Sequence, residues 1–312
     1  MYPIKTLSQI KRDLRRMKKY GFKAIRVTGH ELLWLTKIIK EAKKVRLEVW
    51  LCPRFAHSKP MLSKEEYFKE VRKFANEAEK LDIDIFMIGN ELSLELRDFA
   101  KIQGYENRSE HWTLFEEQFR ERKLDFKGYL KSLVRETRKI FSGPITYAAG
   151  QWELKAIDWS IFDIIAVNLY LWKQFKEKEY IKTLKKLKKY AKPVVVTEFG
   201  FTTTKEAWEI GPRHIYGMRK IPFRDILLSH PTLVRKIIKF GMNILLKTKI
   251  PHHYDEEMQK QLLNKNLRIL NDLKIRKAFV FQWSEPWEAG FGLIRKNGKP
   301  KKALLLLSKA KH

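Results

Sequence analysis

Short apolar runs alternate along this chain with longer stretches whose apolar positions recur at helical spacing. The short runs predict strands covered on both faces, and the periodic stretches predict helices packed along one side. Residues 6–20 show the helical pattern first. Leu7, Ile10, Leu14 and Met17 share a face, Thr6 and Gln9 form a capping box, and Gly21 closes the segment. A strand is expected over 22–27, a helix over 31–44, a strand over 47–52 stopped by Pro53, and a helix over 63–81 capped by Ser63 and Glu66. Further strands are expected at 85–89, 145–149, 164–168, 194–199 and 278–282, with helices at 125–140, 180–191, 255–273 and 300–310.

Strict alternation of strand and helix implies parallel pairing through helical crossovers. The number of strands and the chain length point to an α/β fold, a (β/α)8 barrel of the TIM type, forming a single domain over 1–312. A doubly wound open sheet is the alternative, but no glycine-rich phosphate loop follows any strand. Two departures from the barrel pattern stand out. The first helix leaves only residues 1–5 ahead of it, so the first strand is expected to be missing or very short. A long insertion occupies 202–254. Within it, over 231–251, Leu233, Ile237, Phe240, Ile244 and Leu245 share a helical face with Arg235, Lys236, Lys239 and Lys247 interspersed. Such a helix can pack as a lid over the barrel mouth or lie on an anionic membrane.

Composition narrows the setting. An apolar share of 44% fills a sizeable core, and one cysteine, Cys52, leaves no intrachain disulfide. The first residues lack the apolar segment of a signal peptide, and no run approaches the roughly 18–20 apolar residues that span a bilayer. A cytoplasmic location is therefore expected. The chain carries 65 Lys plus Arg against 36 Asp plus Glu, a net charge of +29. That excess favours anionic partners. The lysines are spread over every helix, however, which reads as a solvated coat, and no nucleic-acid-binding motif accompanies them. High charge with little glutamine also resembles proteins from very hot habitats. His252 and His253 have no carboxylate cluster beside them, so neither a metal site nor a cofactor is expected.

The candidate chemistry lies at two strand ends. One strand runs through Ile85, Phe86, Met87, Ile88, Gly89 and Asn90 to Glu91; the other runs through Val194, Val195, Val196 and Thr197 to Glu198, followed by Phe199 and Gly200. Two carboxylates at the C-terminal ends of parallel strands face one mouth, where one can attack and the other can give and take a proton. In these motifs the chain resembles the clan-A retaining glycoside hydrolases, whose catalytic glutamates end the fourth and seventh strands. Gly89-Asn90-Glu91 resembles the first motif, and Thr197-Glu198-Phe199-Gly200 resembles the second. The layout from Ile145 through Trp152 and Glu153 to Tyr170 is similar to family 113 β-mannanases and family 5 enzymes.

The resemblance implies Glu91 as acid/base, Glu198 as nucleophile and Asn90 as a partner of the sugar 2-hydroxyl. It also implies Arg26 and Tyr170 beside the nucleophile, and Trp283 as the aromatic floor of the cleft. Trp152, Trp172, Trp208 and Trp287 are placed on mouth loops where they could stack on sugars or simply pack. Glu153, Glu285 and Glu288 read as rim residues, and His57 as a residue near the cleft or a structural histidine. The expected function is retaining hydrolysis of a β-linked oligo- or polysaccharide. The alternative is a non-catalytic or membrane-peripheral carbohydrate-binding barrel.

Overall fold

A computed structural model describes residues 5–55, 61–100, 125–212, 253–284 and 290–309. Its helix α1 (Leu7–Lys19) opens on the expected capping box, with Thr6 accepting from the Gln9 amide and Gln9 answering to the Thr6 amide. Strands β1 (Ala24–Gly29), β2 (Glu48–Pro53), β3 (Ile85–Asn90), β4 (Ile145–Gly150), β5 (Ile165–Asn168), β6 (Val194–Phe199) and β7 (Ala278–Val280) form one sheet in chain order, every pair parallel. The principal helices between and after them are α2 (Leu32–Lys44), α3 (Lys64–Lys80), α4 (Phe126–Arg138), α5 (Glu177–Lys188), α6 (Glu256–Asp272) and α7 (Lys302–Lys309). This is a TIM-type (β/α) barrel of seven strands. Among the described residues no strand precedes α1, as expected from the sequence.

Several boundaries differ from expectation. The strand foreseen at 22–27 begins at Ala24 and runs on to Gly29. Pro53 does not stop β2 but ends it, paired with Gly29; the Arg54 amide supplies the next bond, to the Gly29 carbonyl. Strand β7 stops at Val280, two residues short of 282. Helix α5 begins three residues earlier than residue 180, because Glu177 and Glu179 suit the positive end of a helix dipole.

The sheet separates two apolar regions. Outward residues such as Val49, Leu51, Phe86, Ile88, Ile165 and Val167 meet the helices in one large core. Inward residues Trp50, Cys52, Met87, Ala148, Ala166 and Val195 fill the barrel interior. Strands β3 to β6 are buried along their whole length, whereas β1 and β7 are half-buried and do not pair with each other. Side chains bridge this seam. At the base, Lys277 just before β7 reaches Glu48 of β2 at 2.5 Å, and inside, Trp50 meets Phe279 at 5.0 Å between centroids.

The insertion is described only at its two ends, which are joined: Thr204 bridges Tyr254, and the Lys205 amide donates to the His253 carbonyl. The helical face foreseen at 231–251 lies outside the described residues, as do His57, His252, Glu285, Trp287 and Glu288.

Candidate active site

Arg26 from the middle of β1 and the C-terminal ends of β3, β5 and β6 converge on one polar cluster. Its strands are not in perfect register there. Slips occur between β3 and β4 at Met87/Asn90, between β5 and β6 at Val167/Asn168, and between β6 and β7 at Val196/Phe199. A slip re-aims the side chains that follow it, and Asn90, Asn168 and Glu198 all sit at such places. The backbone is also crowded: a Cβ on Gly200 would lie 2.3 Å from the Phe281 carbonyl oxygen, so only glycine fits beside Glu198.

Arg26 organises the cluster. Its Nη1 donates to Glu198 Oε1 at 2.8 Å and to the Thr197 carbonyl at 3.1 Å, while Nη2 donates to Asn90 Oδ1 at 2.5 Å. Tyr170 donates its hydroxyl to the other Glu198 oxygen, Oε2, at 3.0 Å. Glu198 thus receives a donor on each oxygen, an arrangement suited to a carboxylate. Asn168 links the two glutamates: its Nδ2 donates to Asn90 Oδ1 at 3.0 Å and to Glu91 Oε1 at 2.9 Å, and its Oδ1 accepts from Thr197 at 2.9 Å. With Asn90 Oδ1 taken twice, its buried Nδ2 is left without a protein partner among the described residues.

Glu91 stands in a different environment. Burial, and then repulsion from Glu198, push its carboxyl above the ordinary range, against the opposing hydrogen bond from Asn168. The two glutamates therefore stand in unlike surroundings: Glu198 receives a donor on each oxygen, while Glu91 is buried with its pKa raised.

Two further carboxyls lie behind Glu91. Glu95 is buried beside Arg54, with Nε at 3.0 Å, and burial pushes it up to about 7. Glu153 is fully buried, and burial pushes it up to about 8. Sequence reasoning placed Glu153 on the rim. The structure corrects this: a single 3-10 turn, Gln151–Glu153, folds it inward onto Tyr147 and the Gly150 amide. Both groups bind protons more tightly folded than unfolded. Between about pH 4.5 and about 8 these two groups therefore hold more protons in the native protein than in the unfolded chain, and their contribution to stability should fall as pH rises through that window. Urea midpoints across that range measure the slope. Glu153→Gln, which cannot ionise, should flatten it, and an unchanged slope would show that Glu153 does not titrate there.

The tryptophans are dispersed. Trp152 is half-buried and donates to Ser93 Oγ at 3.1 Å. Trp172 is buried beneath Gly211, whose Cβ would lie 2.4 Å from its ring and whose φ is +57°. Trp208 packs on the core under Lys265. Trp283 does not join the carboxylates. Because β7 ends at Val280, its ring falls beyond the strand and packs on Tyr20 and Phe22, at 6.3 and 6.0 Å, filling the seam beside α1. Phe291 lies beside Tyr170, at 6.1 Å, with Phe281 next to it in turn. Asn168 and Phe281 were missed by sequence reasoning. Asn168 offered a signal, a polar residue closing an apolar strand.

Among the described residues no group of three or more potential ligands could hold a metal ion, and no helix is long and apolar enough to cross a membrane. The fold and the cluster define the class: a TIM-type barrel with two unlike glutamates at the C-terminal face of its strands. No family model matches the chain, and no curated protein matches it in sequence. Solved structures that share the fold include a GH113 β-1,4-mannanase, 15% identical, with 97% of this chain and 92% of that one covered and a TM-score of 0.64. A β-glucuronidase of Bacteroides uniformis is 16% identical, with 99% of this chain but 33% of that chain covered and a TM-score of 0.62. An endocellulase from Pyrococcus horikoshii is 13% identical, with 97% and 86% covered and a TM-score of 0.56. Identities of this size establish the fold.

Proposed function

We propose that the protein is a glycoside hydrolase acting on a β-linked oligo- or polysaccharide by double displacement, with Glu198 as nucleophile and Glu91 as acid/base. The observation that carries this reading is the asymmetry of the two glutamates within one hydrogen-bonded cluster. Glu198 accepts from Arg26 on one oxygen and from Tyr170 on the other, while burial and repulsion from its neighbour raise the pKa of Glu91. The solved structures with this fold, a β-1,4-mannanase, a β-glucuronidase and an endocellulase, support a β-glycoside as the substrate class.

In the proposed first step, Glu198 attacks the anomeric carbon as Glu91 protonates the departing oxygen, leaving a glycosyl ester on Glu198. In the second, Glu91 takes a proton from water, which attacks the same carbon and releases Glu198. The unpartnered Nδ2 of Asn90 is the donor available to a sugar hydroxyl, the 2-hydroxyl by resemblance, and its orientation is locked because Arg26 and Asn168 both occupy Oδ1. Such a preset donor helps most when the interaction strengthens at the transition state.

A panel of aryl β-glycosides and β-linked polysaccharides, assayed over a range of temperatures, tests the activity. Proton NMR of the first-formed product tests the stereochemistry. Hydrolysis with retained β configuration is expected; inversion would remove the covalent step, and no turnover of any β-glycoside would remove the reading.

A further inference from the structure

Glu91 adopts a left-handed backbone conformation, φ 49° and ψ 45°, at the junction between β3 and the one-turn helix Leu92–Glu95. For a residue with a side chain this conformation is strained, and it persists only where the surroundings hold it. The contacts that hold the backbone amides of this turn come from one place, while Asn168 of β5 holds the Glu91 carboxyl itself. The Glu91 amide donates to the Ala148 carbonyl at 3.0 Å, the Leu92 amide to the Tyr147 hydroxyl at 2.8 Å, and the Ser93 amide to Glu153 Oε1 at 3.1 Å. Three successive amides of the turn are thus docked on β4 and the turn after it. The amides of Leu92 and Ser93 begin a helix and have no partner within it. Tyr147 and Glu153 supply what an ordinary capping side chain would, because Glu91 itself makes no cap bond.

The two anchors are bound to each other. Tyr147 lies 2.9 Å from both Glu153 oxygens, and Glu153 Oε2 also accepts from the Gly150 amide at 2.8 Å. Tyr147 and Glu153 are both fully buried, so a lost partner cannot be replaced by bulk water. Trp152 closes the group by donating to Ser93 Oγ.

We propose that Glu153, acting with Tyr147, is a positioning residue for Glu91: this clamp on the 91–93 turn fixes where the Glu91 carboxyl stands relative to Glu198. The proposal rests on the glycosidase reading for its kinetic consequence but not for its geometry. Neither residue touches the reacting atoms, so the effect falls on proton donation and not on attack by Glu198. A displacement of the acid on the ångström scale is worth roughly 100-fold in rate.

The test compares kcat/KM, which reports steps up to cleavage of the glycosidic bond, for two substrates of the same sugar. One carries a dinitrophenyl leaving group, which departs without a proton; the other carries an alkyl or sugar leaving group, which needs one. Glu153→Ala should lower the second by roughly 100-fold and the first by less than about threefold. Glu153→Gln, which keeps one acceptor oxygen, should recover part of the loss. Should Glu153→Ala not fold, Tyr147→Phe removes only the hydroxyl and carries the same expectation. An equal loss on both substrates, or no loss on either, would overturn the proposal. Amide hydrogen exchange gives the readout that needs no activity. Leu92 and Ser93 should be protected in the wild type, with Ser93 exchanging fast in Glu153→Ala and Leu92 in Tyr147→Phe, β3 itself unchanged. Protection that survives in both variants would refute the clamp even if glycosidase activity is found; lost protection in a protein that hydrolyses nothing would leave the clamp standing and remove the glycosidase reading.

Discussion

Glu198→Gln is expected to abolish turnover of every glycoside, with losses on the order of 10⁴- to 10⁶-fold, as when an attacking residue is removed from a covalent mechanism. The amide keeps the shape of the carboxylate but has no lone pair of comparable nucleophilicity. It also leaves Arg26, whose side chain is only 7% exposed, without its 2.8 Å counter-ion. A buried guanidinium deprived of its carboxylate costs stability as well as activity, since breaking one side of such a pair is worth about 3–5 kcal/mol. Initial rates on dinitrophenyl β-glycosides and a urea titration, made together, separate the two effects. Full activity in Glu198→Gln would end the assignment of Glu198 as nucleophile.

The second large effect belongs to Glu91. In Glu91→Ala, kcat/KM for substrates with poor leaving groups should fall by roughly 10²- to 10⁴-fold, the usual contribution of general acid catalysis. Dinitrophenyl glycosides should keep their rate of bond cleavage, because their leaving group departs as a stable anion. The glycosyl ester should then accumulate, since no base remains to activate water. Azide, which needs no base, should enter the vacated space and release a glycosyl azide of retained configuration. Identification of that azide by NMR would assign both steps. A Glu91→Ala enzyme that loses activity equally on all leaving groups, with no azide product, would show that Glu91 is not the acid.

What could be read from the chain, and what could not, follows from how each residue is held. Glu91 and Glu198 could be singled out because each stands at or just past the C-terminal end of an apolar run, and parallel strands send those ends to one face; Arg26, Asn90 and Tyr170 were singled out by the family resemblance. Their meeting in one hydrogen-bonded group could not be read, because it depends on register. Asn168 reaches Glu91 only through the slip between β5 and β6, which no local pattern records. Glu153 looked like a rim residue because it follows a strand in polar company; its burial is decided by the 3-10 turn that folds it back onto Tyr147 of β4 and by Ser93, 60 residues away. Trp283 was misjudged by boundary alone. With two more residues in β7 it would end the strand; without them it turns toward α1.

The seam between β1 and β7 has a consequence for how the barrel is fastened. Elsewhere the staves are laced by backbone hydrogen bonds; here the lacing is done by side chains. Lys277 and Glu48 form the lower buckle, Trp50 and Phe279 the filling, and Arg26 with Glu198 the upper buckle, reaching from β1 past β7 to β6. The upper buckle is made of the same charges that the proposed chemistry consumes. On the reading given above, each formation of a glycosyl ester neutralises Glu198 and removes the charge from this buckle, leaving Arg26 its bond to the Thr197 carbonyl, and each hydrolysis restores it. The hoop that shapes the cleft would slacken and tighten once per turnover, so the barrel's closure would be a working part of the cycle and not a fixed frame around it.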